Sequence, residues 1–436
     1  MNVSSIVSTV KSRLGQSDIA TRMAGGAFWS VCGTSLARLF TLVAGIVCSL
    51  ILGKEVYGQY GMVKSTVMTF MNVGGYFLSV TATKYIAEYR REHDARRMSS
   101  VYYVTNGFAV VVGAVMALVL LLCAGPLADL LKSPEMASML RLSSFIVLLV
   151  VVNIAQEGVI TGFEDFFGRA VVQVVGCAVQ AVAMIAGCWL WGLMGGIVGF
   201  GVGFLCIALM NKVRINRDLR AEHVVLNWRD VHNEDFKILV SFSLPSLLMA
   251  IFFVPVFFVL RIWLKRFGDF ADVADFEVSY QWFMLILFIP NAVGTMILPI
   301  LTSLNNDGSH FRRVQKYSLL INGSVAAVVA LLLAILSPWI FQLYGKGYTN
   351  PMPLVVLSVT SVFAALTTVL GYSITSKGRM WQLLLFNLIW AAIILCVSHY
   401  SLLRGHGATG VAVAMLLAYI MQMIVQGIYL HAIRNK

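Results

Sequence analysis

Four cations stand inside stretches that are otherwise apolar: Arg38, Lys64, Arg141 and Arg261. Arg38 is the most telling, because it occupies the midpoint of a 29-residue apolar run, residues 24–52. A bilayer core about 30 Å thick takes roughly 20 apolar residues to cross as a helix. A guanidinium at the centre of such a helix costs at least about 2.5–3.5 kcal/mol unless it meets water or a partner. From Arg38 either end of its helix is about 20 Å away at 1.5 Å per residue, so reaching the interface is hard. A cationic, water-filled cavity resolves this, and its natural ligand is an anion such as a diphosphate or an acidic sugar. The planar fork of arginine binds two phosphate oxygens at once. Lys64, Arg141 and Arg261 lie near the ends of their segments, where a long side chain reaches the interface cheaply, so membrane anchoring is an equal reading for them.

Polar residues within the apolar stretches include Asn72, Asn106, Asn153, Gln156, Gln180, Asn291 and Asn387. Hydrogen bonding between helices is the default account of these. Asn72 and Asn291 stand apart because each lies in a central segment of its half, next to Gly or Pro. The candidate substrate-binding set is therefore Arg38, Lys64, Arg261, Asn72, Asn291 and Arg141. Glu157 is the one acidic residue that reads as deep within a helix; pairing with Arg169 or Lys84 is the favoured account of it, and uptake of a proton is the alternative. Pro245, Pro255, Pro290 and Pro299 interrupt the seventh and eighth apolar segments, either as bends used in motion or as static kinks.

The elements that must carry these residues follow from composition. The chain is 59% hydrophobic and 12% charged, with mean hydropathy +0.83, against about 25% charged in an ordinary soluble domain. It reads as an all-α polytopic membrane protein. The net charge of +12 does not point to nucleic acid, because the basic residues sit in short loops. All seven cysteines fall inside apolar runs, which removes support for disulfides or a zinc site. No P-loop, H-E-x-x-H or G-x-S-x-G elbow is present, no loop exceeds about 15 residues outside, and no cofactor or metal is expected. Residues 1–23 lack the apolar core of a signal peptide. There Val3, Ile6, Val7, Val10 and Leu14 repeat at helical spacing, which fits either a surface-lying helix or an unstructured tail.

Twelve apolar segments are expected near 24–52, 62–83, 99–123, 137–160, 170–191, 193–211, 238–263, 277–303, 317–341, 353–375, 381–400 and 409–431. Loops on the side of the termini hold 22 of the 32 lysines and arginines and opposite loops hold six. This asymmetry places both termini in the cytoplasm. The longest polar break, 212–237, divides a cytoplasmic N-terminal segment (1–23) and an N-lobe of six helices (24–211) from a C-lobe of six (238–436). The halves read as weak parallel copies: Pro126 and Pro338 are 212 residues apart, and Ile160 and Ile374 are 214 apart. Two such repeats are a transporter design with the substrate between them.

Several stretches resemble the recurring blocks of bacterial polysaccharide-biosynthesis flippases: LGKEVYGQYGMV (52–63), LSVTATKYIAEYRRE (78–92), GFEDFFGRA (162–170), LVSFSLPSLL (239–248), FIPNAVGTMILPILTSL (288–304) and LYGKGY (343–348). These are the O-antigen and exopolysaccharide translocases of the multidrug/oligosaccharidyl-lipid/polysaccharide superfamily. The blocks occur in family order over most of the chain. The resemblance implies twelve helices in two lobes around a cationic central cavity, in the bacterial inner membrane. It implies that undecaprenyl-diphosphate-linked oligosaccharide is moved from the cytoplasmic to the periplasmic leaflet by alternating access, for O-antigen, capsule or exopolysaccharide assembly. Arg38, Lys64 and Arg261 match its cavity-lining helices by position. Implied partners are the lipid-linked oligosaccharide, the bilayer, and a polysaccharide polymerase with its chain-length machinery. Two alternatives are a cation-coupled multidrug antiporter of the same superfamily, which usually carries a buried acid in the first lobe, and a polysaccharide polymerase or ligase, which usually needs a large external loop. Helix 1 has Arg38 and no acid, and the loops are short.

Overall fold

A bilayer core offers no water to backbone N–H and C=O groups, so a chain this apolar must satisfy them within helices. The computed structural model describes residues 18–228, 231, 255–304 and 308–434, and every element among them is helical. In chain order these are α1 (Asp18–Leu52), α2 (Lys54–Arg91), α3 (Ala95–Leu130), α4 (Met136–Gly162), α5 (Phe166–Ala221), α6 (Pro255–Phe267), α7 (Phe270–Ile286), α8 (Phe288–Ser303), α9 (Gly308–Leu343), α10 (Met352–Ser376), α11 (Met380–Leu403) and α12 (Gly407–Arg434).

Eight of these helices are long and apolar enough to cross a membrane: α1, α3, α4, α5, α9, α10, α11 and α12. Twelve crossings result when α2, the second arm of α5, α6, and α7 together with α8 are added to these eight. The 56-residue α5 turns back at Trp191 and Gly192, where Gly192 has φ 59°, a left-handed value that suits glycine. Its two arms lie side by side, since Gln180 Nε2 donates to the Phe200 carbonyl at 3.1 Å. α5 also continues to Ala221, ten residues beyond the expected end of the sixth segment at 211. The eighth crossing is split into α7 and α8 at Leu287. Pro290, just beyond, has no N–H to donate to the carbonyl four residues back, which is why the helix breaks there. α2 is 38 residues long and more polar than its neighbours. α6 is the end of the seventh crossing. Its earlier part, including Pro245 and the 239–248 block, lies outside the described residues, as do residues 1–17 and, in the expected linker, residues 229, 230 and 232–237.

Pro126 lies inside α3 and Pro338 inside α9, the third crossing of each half. Outward faces carry lipid-compatible residues such as Leu122, Phe145, Val182, Val328 and Ile335, all exposed. Trp189, Trp191, Trp339 and Trp381 are exposed near helix ends, as expected of interfacial aromatics. The chain is thus a multi-pass membrane protein of two six-helix lobes.

The lobes meet along α2, α6 and α7. Lys54 Nζ, at the start of α2, pairs with Asp275 Oδ2 of α7 at 2.9 Å. Ser49 Oγ of α1 reaches the Tyr348 hydroxyl at 2.8 Å and the Tyr344 carbonyl at 3.0 Å, both just after α9. A Cβ at Gly58 would overlap the Phe270 carbonyl, so only glycine lets α2 come this close to α7. These contacts close the end of the bundle opposite the chain termini.

Candidate functional site

The cavity between the lobes is built from helix faces. Arg38, Thr41 and Leu42 come from α1; Lys64, Ser65, Met68, Thr69 and Asn72 from α2; Phe257 and Arg261 from α6; Glu277, Tyr280, Gln281 and Met284 from α7. Within each helix these recur at intervals of three and four, the spacing that puts side chains on one face. The space they enclose is about 500 Å³, within the ~300–1,000 Å³ usual for ligand sites.

Four of the six candidate residues therefore share one cavity: Arg38, Lys64, Asn72 and Arg261. The other two stand elsewhere. Arg141 is exposed near the start of α4, and Asn291 is exposed in the first turn of α8, after the break at Leu287. Asn72 Nδ2 donates to the Met68 carbonyl one turn back at 2.8 Å.

Arg38 reaches from the first lobe to the second. Its Nη1 donates to the Met284 carbonyl at 2.7 Å, and its guanidinium lies 4.7 Å from the Phe288 ring centroid. Met284 belongs to the last turn of α7, where carbonyls lose their helical partners. A mid-membrane arginine thus caps a broken helix of the opposite lobe.

Arg261 is 5% exposed and Glu277 7%. Arg261 Nε donates to Glu277 Oε1, and Arg261 Nη1 donates to the Phe257 carbonyl at 2.9 Å. Phe276 and Tyr280 face the guanidinium at 5.2 and 5.1 Å. Glu277 is the functional candidate that the sequence reading missed. It stood at the expected edge of the eighth segment, but the helix starts at Phe270, two turns earlier. The recurrence 277, 280, 281, 284 was the available signal. Glu157 pairs with Arg169 at 3.5 Å, apart from this cavity. Of the charged groups lining the cavity among the described residues, three are cations and one is a carboxylate, which leaves two positive charges. No group of three or more metal-ligating side chains occurs among the described residues.

The architecture defines the class. An inward-facing structure of a multidrug resistance MATE family transporter of the MOP superfamily superposes with TM-score 0.80 at 17% identity, over 92% of this chain and 96% of that one. An outward-facing structure of such a transporter gives TM-score 0.69 at 16% identity, over 95% of each chain. The fold is that of MATE transporters, twelve helices in two lobes around a central cavity. A profile described as polysaccharide biosynthesis protein matches residues 23–305, and the chain belongs to that family. One relative is the EPS I polysaccharide export inner membrane protein EpsE of Ralstonia nicotianae, 24% identical over 241 residues, 52% of this chain and 55% of that protein. The chain spans about half the length of the EpsE relatives it matches. The lipid III flippase of Escherichia coli is 20% identical over 404 residues, 91% of this chain and 95% of that protein. These relatives carry the names of export proteins, flippases and transporters, not of enzymes.

Proposed function

We propose that the protein flips undecaprenyl-diphosphate-linked oligosaccharide from the cytoplasmic to the periplasmic leaflet, for assembly of a surface polysaccharide such as O-antigen, capsule or exopolysaccharide. The observation that carries this is the charge of the cavity between the lobes. Arg38, Lys64 and Arg261 against Glu277 leave two positive charges, equal and opposite to a diphosphate esterified at both ends. An arginine fork binds such oxygens two at a time. In this reading the diphosphate sits at the level of Arg38, Lys64 and Arg261, and the polyprenyl chain stays in lipid. Both termini are cytoplasmic, and the N-lobe (24–211) and C-lobe (238–436) rock about the cavity, with a polymerase receiving the product.

The conformation fits loading from the cytoplasm. Lys54–Asp275 and Ser49–Tyr348 close the end opposite the termini, and the superposition is better on the inward-facing transporter than on the outward-facing one. Rupture of these contacts would open the cavity to the periplasm. The buried Glu277 favours a second reading, cation-coupled drug antiport, but Arg261 already neutralises it.

Deletion of the gene, with extraction of membrane lipids, tests the proposal. Undecaprenyl-linked repeat units are expected to accumulate while surface polysaccharide disappears, with rescue by the wild-type gene. Unchanged lipid intermediates and unchanged surface glycan would overturn it, and increased sensitivity to cationic drugs would support the antiporter.

A further inference from the structure

A second cavity, about 300 Å³, opens within the C-terminal half between α10, α11 and α12, and its walls include Thr367, Asn387, Trp390, Tyr419, Gln422 and Gln426. It is not isolated from the first. Phe257, which lines the cation cavity, lies 5.9 Å from Trp390 by ring centroids, and Trp390 lies 5.4 Å from Tyr419. An aromatic wall thus lies between the two spaces, with Phe257 on the cation cavity and Trp390 and Tyr419 on the second.

Two buried polar groups of the second cavity's lining lack partners. Gln426 is 1% exposed and its Oε1 accepts nothing; Trp390 is 8% exposed and its Nε1–H donates to nothing. A buried polar group left unpaired costs about 1–3 kcal/mol, and both of these residues line the cavity. The unmet groups are one acceptor and one donor, and the occupant must both donate and accept. A metal cation only accepts lone pairs, and it prefers carboxylates. A phosphate needs cations. None of the described lining residues is charged. An acyl chain would leave Gln426 Oε1 and Trp390 Nε1 unsatisfied. A hydroxyl donates and accepts alike, and amides beside aromatic faces suit the polar edge and the C–H face of a pyranose. The volume is about ten times the ~30 Å³ share of one water, so it is room for more than a bridging solvent molecule.

We infer that this cavity is a saccharide subsite, which takes a sugar of the lipid-linked oligosaccharide while the diphosphate occupies the cation cavity. The inference rests on the flippase reading and adds to it where sugar selectivity resides. Asn387 and Gln422 form its fixed edge, with Gln422 Nε2 donating to Asn387 Oδ1 at 2.7 Å. Gln426 and Trp390 are the adaptable one.

The test measures binding to the full-length protein in lipid nanodiscs with two probes: the lipid-linked repeat unit extracted from the deletion strain, and undecaprenyl diphosphate without sugar. Gln426→Leu and Trp390→Phe are expected to bind the repeat-unit lipid about tenfold more weakly and the sugar-free lipid within twofold of wild type. The second probe also shows that the variants are folded. Equal losses on both lipids would make the two residues structural and overturn the subsite. So would no loss on either, or a wild type that binds both lipids equally well. A wild type that binds neither lipid would instead overturn the flippase reading, and the subsite with it.

Discussion

Arg38 donates from Nη1 to the main-chain carbonyl of Met284 at 2.7 Å, a bond that joins the first helix of one lobe to the broken eighth crossing of the other. The arginine is both a cavity charge and a tie between the lobes. Arg38→Ala should lower surface polysaccharide at least tenfold at matched membrane abundance, because a charged hydrogen bond of about 1.5–3 kcal/mol and a phosphate-binding fork go together. Arg38→Lys should rescue only in part, since ammonium keeps the charge but not the fork. Quantifying surface glycan in the deletion strain carrying each variant checks this, and full rescue by Arg38→Ala would remove the residue from the site.

The buried Arg261–Glu277 pair should behave as a unit. Arg261→Ala leaves Glu277 buried without its cation, and breaking a buried pair costs about 3–5 kcal/mol. Glu277→Gln should cost less, because an amide still accepts from the guanidinium. The double replacement Arg261→Leu/Glu277→Leu should be more stable than Arg261→Ala while losing substrate affinity. Thermal unfolding in detergent reads the order directly, and strict additivity of the single losses would deny the coupling.

The gate should lock. In a background without native cysteines, Lys54→Cys and Asp275→Cys should be joined by a short cleavable crosslinker, as the parent side chains meet at 2.9 Å. Crosslinked protein should stop transport, and reductive cleavage should restore it. Undiminished transport with the link intact would mean that this end need not open.

Gly58→Ala should destabilise the same closed end, because its Cβ has no room beside the Phe270 carbonyl. Labelling of Lys54→Cys by an impermeant maleimide should rise several-fold in Gly58→Ala relative to glycine at that position. Equal labelling would show that α2 and α7 relax apart without opening.

Much of this was legible from the residues. The apolar runs had to be helices because a bilayer permits little else, and Arg38 forced a cavity because a central guanidinium cannot reach water from there. Lys64 and Arg261 line the same space, although membrane anchoring was an equal reading of their positions. Arg141 shows the other outcome: near the start of α4 a long side chain simply turns outward. Glu277 was not legible, because hydropathy marks an acidic residue as the edge of a span, while here Arg261 across the helix pair makes its burial tolerable. The break at Leu287 was foreshadowed by Pro290, but a hydropathy pattern does not say that the next polar residue, Asn291, faces away from the cavity.

The proposed transport moves a lipid-linked glycan through a cationic cavity. The most direct measurement reconstitutes the purified protein in liposomes loaded with the lipid-linked repeat unit from the deletion strain. A membrane-impermeant oxidant of sugar diols then reports the exposed fraction, with proton or sodium gradients imposed in either direction. Wild type should render nearly the whole pool oxidisable, against about half in protein-free liposomes, and Arg38→Ala should slow this at least tenfold. Oxidation that stops at the protein-free level under every gradient, or an Arg38→Ala rate equal to wild type, would contradict it.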